Sequence, residues 1–494
     1  MGIIQKQASK TTLISFVGMG FAAITRLAMP IVLHPAQIGL IGLLDLFSGY
    51  FVMIFNFGYN LILNKLFPKY RDDKNGHSGF LVLGLFLSFL GIFIGIGVYY
   101  FIEDYLLSNQ SNHDGAELIR PFAFLIPLLF IFRILFLNID GYVRMLMNTI
   151  VGTFLESFLT KILLFITLVL FAKSVFDFDY FIYAYSFLLA LPGVVIVIYA
   201  FKKTKKITLP KSTIFEKKNN FSSLVLFGVI SGASASIILY TDTFMLYKMI
   251  PINPEAVIGV YLTMLFAANL INIPSRNLNK ISAVLIAESW KTNDLKNIQD
   301  IYTKSCVNLL IIGIYLFVIG WACLDPVLSF MNPEYEIGKY VFFFLGLSKV
   351  VELGTGVNTM IIETSEKYRL NTYFNIALIF LVVGLNYIFI KEYGIVGAAS
   401  TSFIAVSLIN ITKAIVLNKS YNLQPFTKSF WVVAFIGVMM IVAVSFVSYS
   451  ANPFVKIGLN FTILTVVFWF LILKMNLSPD ITKQMAKIKD RFFA

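Results

Sequence analysis

The sequence predicts an all-α, polytopic membrane protein with about fourteen transmembrane helices, arranged as two six-helix lobes followed by two further helices. Of the 494 residues, 58% are hydrophobic and only 13% are charged, and the mean hydropathy is +0.82. Apolar stretches of about 20 residues, long enough to cross a hydrocarbon core of roughly 30 Å, recur from Thr11 to Met475. This composition leaves too little polar surface for a water-soluble enzyme, a nucleic-acid-binding module or a secreted disulfide scaffold.

Charged or turn-rich segments separate the apolar stretches and set the predicted boundaries. The first six spans lie near 11–33, 38–64, 80–102, 120–138, 149–171 and 180–201. The next six lie near 221–247, 257–287, 305–324, 340–362, 370–390 and 395–412, and the last two near 430–449 and 457–473. We therefore expect an amino-terminal lobe (1–201), a basic cytoplasmic linker (202–220), a carboxy-terminal lobe (221–417) and a two-helix extension with a basic tail (418–494). The span 257–287 is too long to cross upright and contains Pro274, which predicts a kink there.

The charges of the predicted loops indicate how the chain is oriented. Loops on the side of the termini hold 27 Lys and Arg against 11 Asp and Glu, whereas loops on the opposite side hold 6 against 11. Because basic loops stay in the cytoplasm, topology explains the net charge of +13, and no nucleic-acid partner is needed. Both termini are expected to be cytoplasmic. An odd number of helices, the alternative, would scatter the basic loops over both faces.

The linker and its flanking segments indicate two related halves. The linker reads KKTKKITLPKSTIFEKKNN, with seven lysines and one glutamate, which is typical of a solvated connector; attraction to lipid headgroups is a second role for it. PAQIGLIGLLDLF, after the first helix, is echoed by PEAVIGVYLTMLF after the seventh, so that Gly39 and Gly259 share an offset of 220 residues. Such repeats are common in transporters, in which the substrate site lies between the halves.

Ten charged side chains fall inside the apolar spans and are the candidates for function. They are Arg26, Asp45, Arg133, Glu156, Lys161, Asp242, Arg276, Lys280, Lys349 and Glu352. A central charge costs about 2.5 to 3.5 kcal/mol on insertion scales, so these side chains must face an internal cavity or one another. Lys349 and Glu352, three residues apart, are spaced to pair. Glu156 and Lys161, five residues apart, would lie about 140° apart around an α-helix, which predicts partners on other helices.

The position of a charged residue within its predicted span indicates whether it faces a cavity or the lipid headgroups. Arg276 and Lys280 lie on adjacent turns of the eighth helix, and they favour a water-filled cavity because two cations without an anion are hard to bury. Arg120, Asp140 and Glu288 lie near predicted helix ends. We expect these three to extend toward the lipid headgroups and not to form part of a site.

The sequence does not indicate catalysis. No His or Cys cluster has the spacing of a metal site, and Cys306 and Cys323 are about 25 Å apart along one helix, too far for a disulfide. There is no GxxxxGK[ST] motif for ATP, so no cofactor is predicted, and a proton or sodium gradient is the expected energy source. The candidates for ion coupling or charge pairing are Asp45, Glu156, Asp242 and Glu352. The longest outer loop, about 103–118, is too short for a catalytic domain, which weighs against a glycan polymerase or ligase.

Three segments of the sequence resemble a known family. The opening, ISFVGMGFAAITRLAMP followed by IGLIGLLDLFSGYFVMIFNFGYNLILNKLFPKYRD, resembles the first helices of bacterial polysaccharide flippases in the multidrug/oligosaccharidyl-lipid/polysaccharide (MOP) exporter superfamily. YTDTFMLYKMI with EAVIGVYLTMLFAA is similar to their seventh and eighth helices, and NYIFIKEYGIVGAAST to the passage between the eleventh and twelfth. The resemblance spans most of the chain and agrees with the layout of six, six and two helices.

The resemblance implies a function of the O-antigen flippase type. A V-shaped, MATE-like pair of lobes would enclose a cationic cavity and move undecaprenyl-pyrophosphate-linked oligosaccharide across the bacterial inner membrane, with membrane lipids and polysaccharide-assembly proteins as partners. Arg26 and Arg276 best match the basic residues of that cavity. The candidate substrate ligands are Arg26, Arg276, Lys280, Arg133 and Lys161. A lipid II flippase and a multidrug or cation antiporter of the same superfamily are the alternatives; the antiporter usually has twelve helices and an acidic cavity.

Overall fold

The structure, a computed structural model, describes residues 2–72, 74–108, 118–204, 206–216, 220–446 and 452–483. Within these ranges the side chains of residues 2–10, 12, 231, 233–239, 276, 277, 280, 445 and 446 lie outside the description. The described part of the chain consists of helices joined by short loops and contains no β-strand, which confirms the predicted all-α class. The chain forms two compact units, residues 1–259 and 260–494.

The first unit is built from long helices that meet around a group of buried aromatic residues. Tyr59, Phe67, Phe80 and Tyr142 lie at the centre of one such cluster. The helices are α1 (Gly2–Val32), α2 (Pro35–Phe55), α3 (Tyr59–Tyr70), α4 (Phe80–Leu107), α5 (Leu125–Met145), α6 (Ile150–Thr153), a π-helix (Phe154–Leu159), α7 (Thr160–Ala172), α8 (Phe178–Lys203), α9 (Phe221–Met249) and the start of α10 (Pro254–Ile271).

The second unit is organised around one long central helix. The remaining helices are α11 (Ser275–Lys291), α12 (Leu295–Leu328), α13 (Lys339–Gly354), α14 (Asn358–Thr364), α15 (Arg369–Tyr421), α16 (Lys428–Phe446) and α17 (Pro453–Lys474). The central helix is α12, which packs against α11, α13, α16 and α17. Its buried face includes Tyr302, Cys306 and Phe317.

The predicted apolar segments are helical, but they do not match the helices one to one: 149–171 covers α6, the π-helix and α7, whereas 370–390 and 395–412 both lie in α15. The kink predicted at Pro274 is the break between α10 and α11, and α15 leaves helical geometry at Gly394 (φ 56°, ψ −132°), between two predicted spans. In the described chain, ten helices are long and apolar enough to cross a membrane, or eleven if Pro333–Gly354 and Asn358–Thr364, bent by 50°, form one span. The number of fourteen crossings stays a prediction.

The second predicted span, 38–64, is broken where the sequence suggests continuity. The Asn56 Nδ2 group donates a hydrogen bond to the Val52 carbonyl oxygen at 2.9 Å, and its Oδ1 atom accepts one from the Gly58 N–H at 2.7 Å. Phe57 and Gly58 have positive φ angles of 52° and 62°. These local side-chain bonds replace helical ones, so α2 ends at Phe55.

Small residues allow α9 to lie close against α2 and α3 within the first unit. A Cβ atom added at Gly58 would lie 2.4 Å from the Gly228 Cα atom, and one added at Gly232 would lie 2.3 Å from the Met53 carbonyl oxygen. The rings of Tyr50 and Tyr240 pack with centroids 5.3 Å apart. The helix after the linker is thus part of the first compact unit. The predicted division into two six-helix lobes joined by the linker 202–220 stays a prediction.

The starts of α2 and α10 meet in a reciprocal contact. A Cβ atom added at Gly39 would lie 1.8 Å from the Glu255 carbonyl oxygen, and one added at Gly259 would lie 1.8 Å from the Pro35 carbonyl oxygen. Positions 35 and 39 correspond to 255 and 259 at the repeat offset of 220 residues. Each of the two glycines thus lets the backbone of the other helix approach closely, and the repeat read from the sequence stays a prediction.

Candidate functional site

A polar cavity of about 430 Å³ lies inside the first unit. Its walls come from α1, α2, α5, the π-helix, α7, α8 and α9. Seven charged side chains line it: Arg26, Asp45, Arg133, Asp140, Arg144, Glu156 and Lys161. With four basic and three acidic groups, the described charged lining carries a formal excess of one positive charge. Five of the nine residues predicted for substrate binding or coupling are brought together here; their roles stay predictions.

Arg133 and Asp45 form the best-defined ion pair of the cavity. The Arg133 Nη2 atom lies 2.7 Å from Asp45 Oδ1, and its Nη1 atom donates a hydrogen bond to the Ser48 hydroxyl at 2.8 Å. The Arg133 side chain is 21% exposed and that of Asp45 is 45% exposed. This pairing holds the guanidinium on the wall formed by α2 and α5.

A π-helix explains why Glu156 and Lys161 line the same cavity. In an α-helix, the five-residue spacing would place them about 140° apart, and for this reason the sequence predicts partners on other helices. The Thr160 N–H donates to the Leu155 carbonyl oxygen, the five-residue hydrogen bond of a π-turn. The wider turn brings residues five apart nearly into line. Apolar periodicity carries no sign of a π-helix, so the π-turn was not predicted, and the partners expected on other helices stay a prediction.

Asp140 and Arg144 line the cavity. From its position in the sequence, Asp140 is expected to extend toward the lipid headgroups, and this expectation is wrong. The Arg144 Nε atom lies 3.1 Å from Asp140 Oδ2, an i,i+4 pair on α5. Asp140 is only 8% exposed, so it points into the unit and not toward the headgroups. The sequence does contain a signal that Asp140 faces the cavity. One face of α5 carries residues at spacings of three and four, and all of them line the cavity: Arg133, Leu137, Asp140 and Arg144.

Three charged groups of the lining have neither a hydrogen bond nor an ion pair with any described residue. They are Arg26 on α1, Glu156 on the π-helix and Lys161 on α7. Lys161 lies within electrostatic range of Arg26, Glu156, Asp45 and Arg133. Because Arg133 pairs with Asp45 and Arg144 pairs with Asp140, the two cations Arg26 and Lys161 and the one carboxylate of Glu156 can bind a ligand. Their sum is one positive charge, which favours an anionic ligand.

Comparison with known proteins assigns the chain to a family. Residues 4–286, more than half of the chain, match the family model described as polysaccharide biosynthesis protein. The chain belongs to this polysaccharide biosynthesis family. An uncharacterized membrane protein, MJ1068, of Methanocaldococcus jannaschii is similar to it, with 25% identity over 440 residues, 82% of each chain.

Solved structures show the fold of this family member. The lipid II flippase MurJ in an inward closed conformation superposes with a TM-score of 0.72 at 14% identity, covering 94% of this chain and 99% of that one. An inward-facing MATE family multidrug resistance transporter of the MOP superfamily gives a TM-score of 0.59 at 13% identity, covering 88% and 99%. The chain is therefore a multi-pass membrane protein with a fold like that of MurJ and the MATE transporters. Together with the family model, this fold confirms the family that the sequence resembles.

The other predicted site residues that the structure describes, Asp242 and Glu352, do not line this cavity. Asp242 is on α9, two residues after Tyr240, which lines the cavity. Glu352 is in the second unit, where it lines a smaller polar cavity of about 180 Å³. There it pairs with Lys349 at 3.4 Å, as the spacing predicts, and accepts a hydrogen bond from Asn272 at 3.1 Å. Predictions for Arg276 and Lys280 rest on side chains outside the described residues.

Proposed function

We propose that this protein is a flippase that moves a lipid-linked oligosaccharide with an anionic phosphate-containing head across the cytoplasmic membrane. The family assignment, the similarity of fold to the lipid II flippase MurJ and the charged cavity support this proposal. Surface polysaccharide repeat units of the O-antigen type on undecaprenyl pyrophosphate are the proposed substrates. The bacterial inner membrane, with both termini cytoplasmic, is the proposed location.

The observation that carries the proposal is the pair of available cations, Arg26 and Lys161, inside a membrane helix bundle. A cation within a span is costly unless an anion lies nearby, and Asp45 is already engaged by Arg133. A pyrophosphate supplies that anion. Arg26 can grip it through two parallel hydrogen bonds, whereas Lys161 contributes a point charge.

The proposed path follows from the helix ends that carry the cavity. Arg144 lies in the last turn of α5, and Glu156 lies in the π-helix that follows α6, near ends of predicted spans that are expected to be cytoplasmic. The substrate head would enter there and contact Arg26 and Lys161 deeper in the bundle, while its lipid tail stays in the bilayer. Alternating access then exposes the head on the other side. Arg276 and Lys280 remain candidate ligands because two cations on adjacent turns favour a water-filled cavity, and Arg276 is also favoured by the resemblance.

Two other functions occur on the same fold, and each differs from the proposed one in its substrate: a lipid II flippase carries a different glycan, and a multidrug antiporter carries cations. Lipid II is also a glycan on a lipid pyrophosphate, and the similarity of fold to MurJ favours it as a second candidate. A multidrug or cation antiporter is less well supported, because four basic groups against three acidic ones favour anions over cations. Complementing strains that lack either flippase would separate the first two.

Complementation of a flippase-deficient strain tests the proposal in cells. Arg26→Ala and Lys161→Ala should each reduce surface polysaccharide about tenfold or more, since each loses a charged hydrogen bond to the substrate head worth roughly 1.5 to 3 kcal/mol. Arg26→Lys should restore part of it. The matched control is Lys173→Ala, an exposed lysine after α7, which should behave like the unaltered protein. Full activity of an Arg26→Ala, Lys161→Ala double variant at normal membrane level would refute the cationic site.

A further inference from the structure

The smaller polar cavity of the second unit, of about 180 Å³, lies where two helices are broken. One break separates α10 from α11 and contains Asn272; the other separates α13 from α14 and contains Gly356, whose φ angle is 61°. Both residues line the cavity. Because a break leaves backbone groups without helical partners, membrane proteins tolerate breaks where they line a polar cavity, and ligand sites are built there.

Uncharged amide and hydroxyl side chains form most of the polar lining of this cavity, which we call the amide cavity: Asn272, Ser275, Asn279, Asn358, Thr359 and Asn410. Hydrogen bonds hold part of the lining in place. Asn358 donates to Asn410 Oδ1 at 3.0 Å, and the Thr359 hydroxyl donates to Asn358 Oδ1 at 3.1 Å. The Asn279 Oδ1 atom is buried and accepts no hydrogen bond from any described group. A buried acceptor of this kind requires a donor, which a ligand can supply.

The described charged groups around the amide cavity balance one another. Glu352, on its wall, pairs with Lys349 at 3.4 Å. Lys413, which is only 7% exposed, donates to the Thr359 hydroxyl at 3.0 Å and lies within electrostatic range of Glu363. A sodium ion would have to compete with the Lys349 ammonium for the one carboxylate on the wall. Two ammonium groups and two carboxylates sum to zero, so these surroundings favour a neutral ligand over sodium or phosphate.

We propose that the amide cavity binds one neutral sugar ring of the transported glycan. Sugar hydroxyls both donate and accept, so they match the amide groups and supply the donor that Asn279 Oδ1 lacks. The Glu352 carboxylate, 44% exposed, can accept from further hydroxyls. The cavity volume is that of about six liquid water molecules, enough for one sugar ring and too small for two.

This inference rests on the proposed function, because it takes the ligand to be part of a lipid-linked oligosaccharide. It deepens that function by assigning the two recognised groups to different cavities. The cationic cavity of the first unit binds the phosphate-containing head of any such lipid, and the amide cavity discriminates between glycans.

Nuclear magnetic resonance with soluble sugars tests the amide cavity directly. The probes are the methyl glycosides of glucose, galactose, mannose, rhamnose, N-acetylglucosamine and N-acetylgalactosamine, and saturation transfer from the full-length protein in nanodiscs reports their binding. We expect at least one of them to bind with a dissociation constant on the order of 1 mM, which about four net hydrogen bonds supply. Its affinity should be the same in sodium and potassium buffers.

Variants assign the bound sugar to the amide cavity. Asn279→Leu keeps the size of the side chain but removes both polar atoms, and it should weaken glycoside binding about three- to tenfold. Glu352→Gln should weaken it by a similar factor and serves as the second variant if Asn279→Leu does not fold. Asn418→Leu, at an exposed position of α15, is the matched control and should bind like the unaltered protein.

Three results would overturn the inference: no binding of any glycoside to the unaltered protein, unchanged affinity in both cavity variants, or an affinity that falls when sodium replaces potassium. The last result would assign the amide cavity to sodium. Inorganic pyrophosphate tests the proposed function separately. It should bind the unaltered protein and Asn279→Leu equally, and the Arg26→Ala, Lys161→Ala double variant at least about tenfold more weakly. No pyrophosphate binding to a protein that binds a glycoside would overturn the cationic site and leave the sugar site standing.

Discussion

The Arg133 side chain shows how a charge can be fixed within a membrane helix bundle. Asp45 supplies a carboxylate at 2.7 Å, and the Ser48 hydroxyl accepts a second guanidinium hydrogen bond at 2.8 Å. Asp45 is 45% exposed, so the solvent of the cavity screens part of the attraction. The pair therefore positions Arg133 beside the available cations more than it stabilises the fold.

Removing both partners of this pair should cost less stability than the sum of the two single losses. Asp45→Ala and Arg133→Ala should each destabilise the protein by on the order of 1 to 2 kcal/mol, because each leaves a partly buried charge unpaired. The double variant should lose less than the sum. Thermal unfolding in detergent, followed by fluorescence, measures this coupling. Strictly additive losses would show that the two residues do not act as a pair.

Gly152 should be intolerant of even a methyl group. The added Cβ atom of Gly152→Ala would lie 1.7 Å from Asp140 Oδ1, so the carboxylate or the helix must shift. We expect a loss of about 1 to 3 kcal/mol in unfolding free energy and a weaker Asp140 to Arg144 pair. Gly97→Ala is the matched control, because a Cβ at Gly97 meets no atom within 4 Å. Equal melting temperatures of the two variants would contradict the close packing.

At the scale of elements, the π-helix joins two charges that an α-helix would separate. It lies between α6 and α7, so one inserted residue in a single span changes which side chains face the cavity. Deletion of Ser157 should restore α-helical pitch and turn Glu156 away from Lys161, with loss of complementation of at least about tenfold. Ser157→Ala, which keeps the chain length, should remain active. Activity of the deletion variant equal to that of Ser157→Ala would show that the π-turn is dispensable.

Hydrogen bonds from Tyr247 and Lys248 join the ends of α4 and α9 on the side predicted to face outward; this group of bonds is called the outer seal. The Lys248 ammonium donates to the carbonyl oxygens of Tyr105, Leu106 and Ser108, the last at 2.6 Å. The Tyr247 hydroxyl donates to the Leu107 carbonyl oxygen at 2.7 Å. These bonds satisfy carbonyl groups that the end of α4 leaves free, and a cation is favoured there by the helix dipole. Any outward opening between these helix ends must break them.

Lys248→Met should loosen this seal. Losing the three bonds of one ammonium should remove on the order of 1 to 2 kcal/mol of local stability and raise hydrogen exchange about tenfold in the last turns of α4 and α9. Hydrogen–deuterium exchange with mass spectrometry measures the change. Lys173→Met, another lysine near a predicted outer helix end, is the control. Equal protection in both variants would contradict a sealing role.

At the scale of the whole molecule, hydrophobic length predicted the helices well, since each long apolar segment must be helical in lipid. Proline and glycine marked the breaks at Pro274 and Gly394. The break at Asn56 was missed because its cause is a side chain that bonds to its own backbone. Five of the seven charged residues of the cavity could be named from their cost in lipid, whereas Asp140 was expected near the headgroups and Arg144 was not named. The shared cavity of Glu156 and Lys161 depends on a π-turn, and the approach of Asp140 to the next helix depends on Gly152; neither feature has a signature in hydropathy.

The final measurement concerns what the cavity carries. The protein is reconstituted in liposomes that contain undecaprenyl-pyrophosphate-linked oligosaccharide, and an external glycosidase reports how fast the glycan becomes accessible. We expect the unaltered protein to expose the pyrophosphate-linked glycan much faster than a phosphate-free analogue of equal chain length. The Arg26→Ala, Lys161→Ala double variant should expose it no faster than empty liposomes. Equal rates for the two lipids, or an unimpaired double variant, would contradict a flippase that works through a cationic cavity.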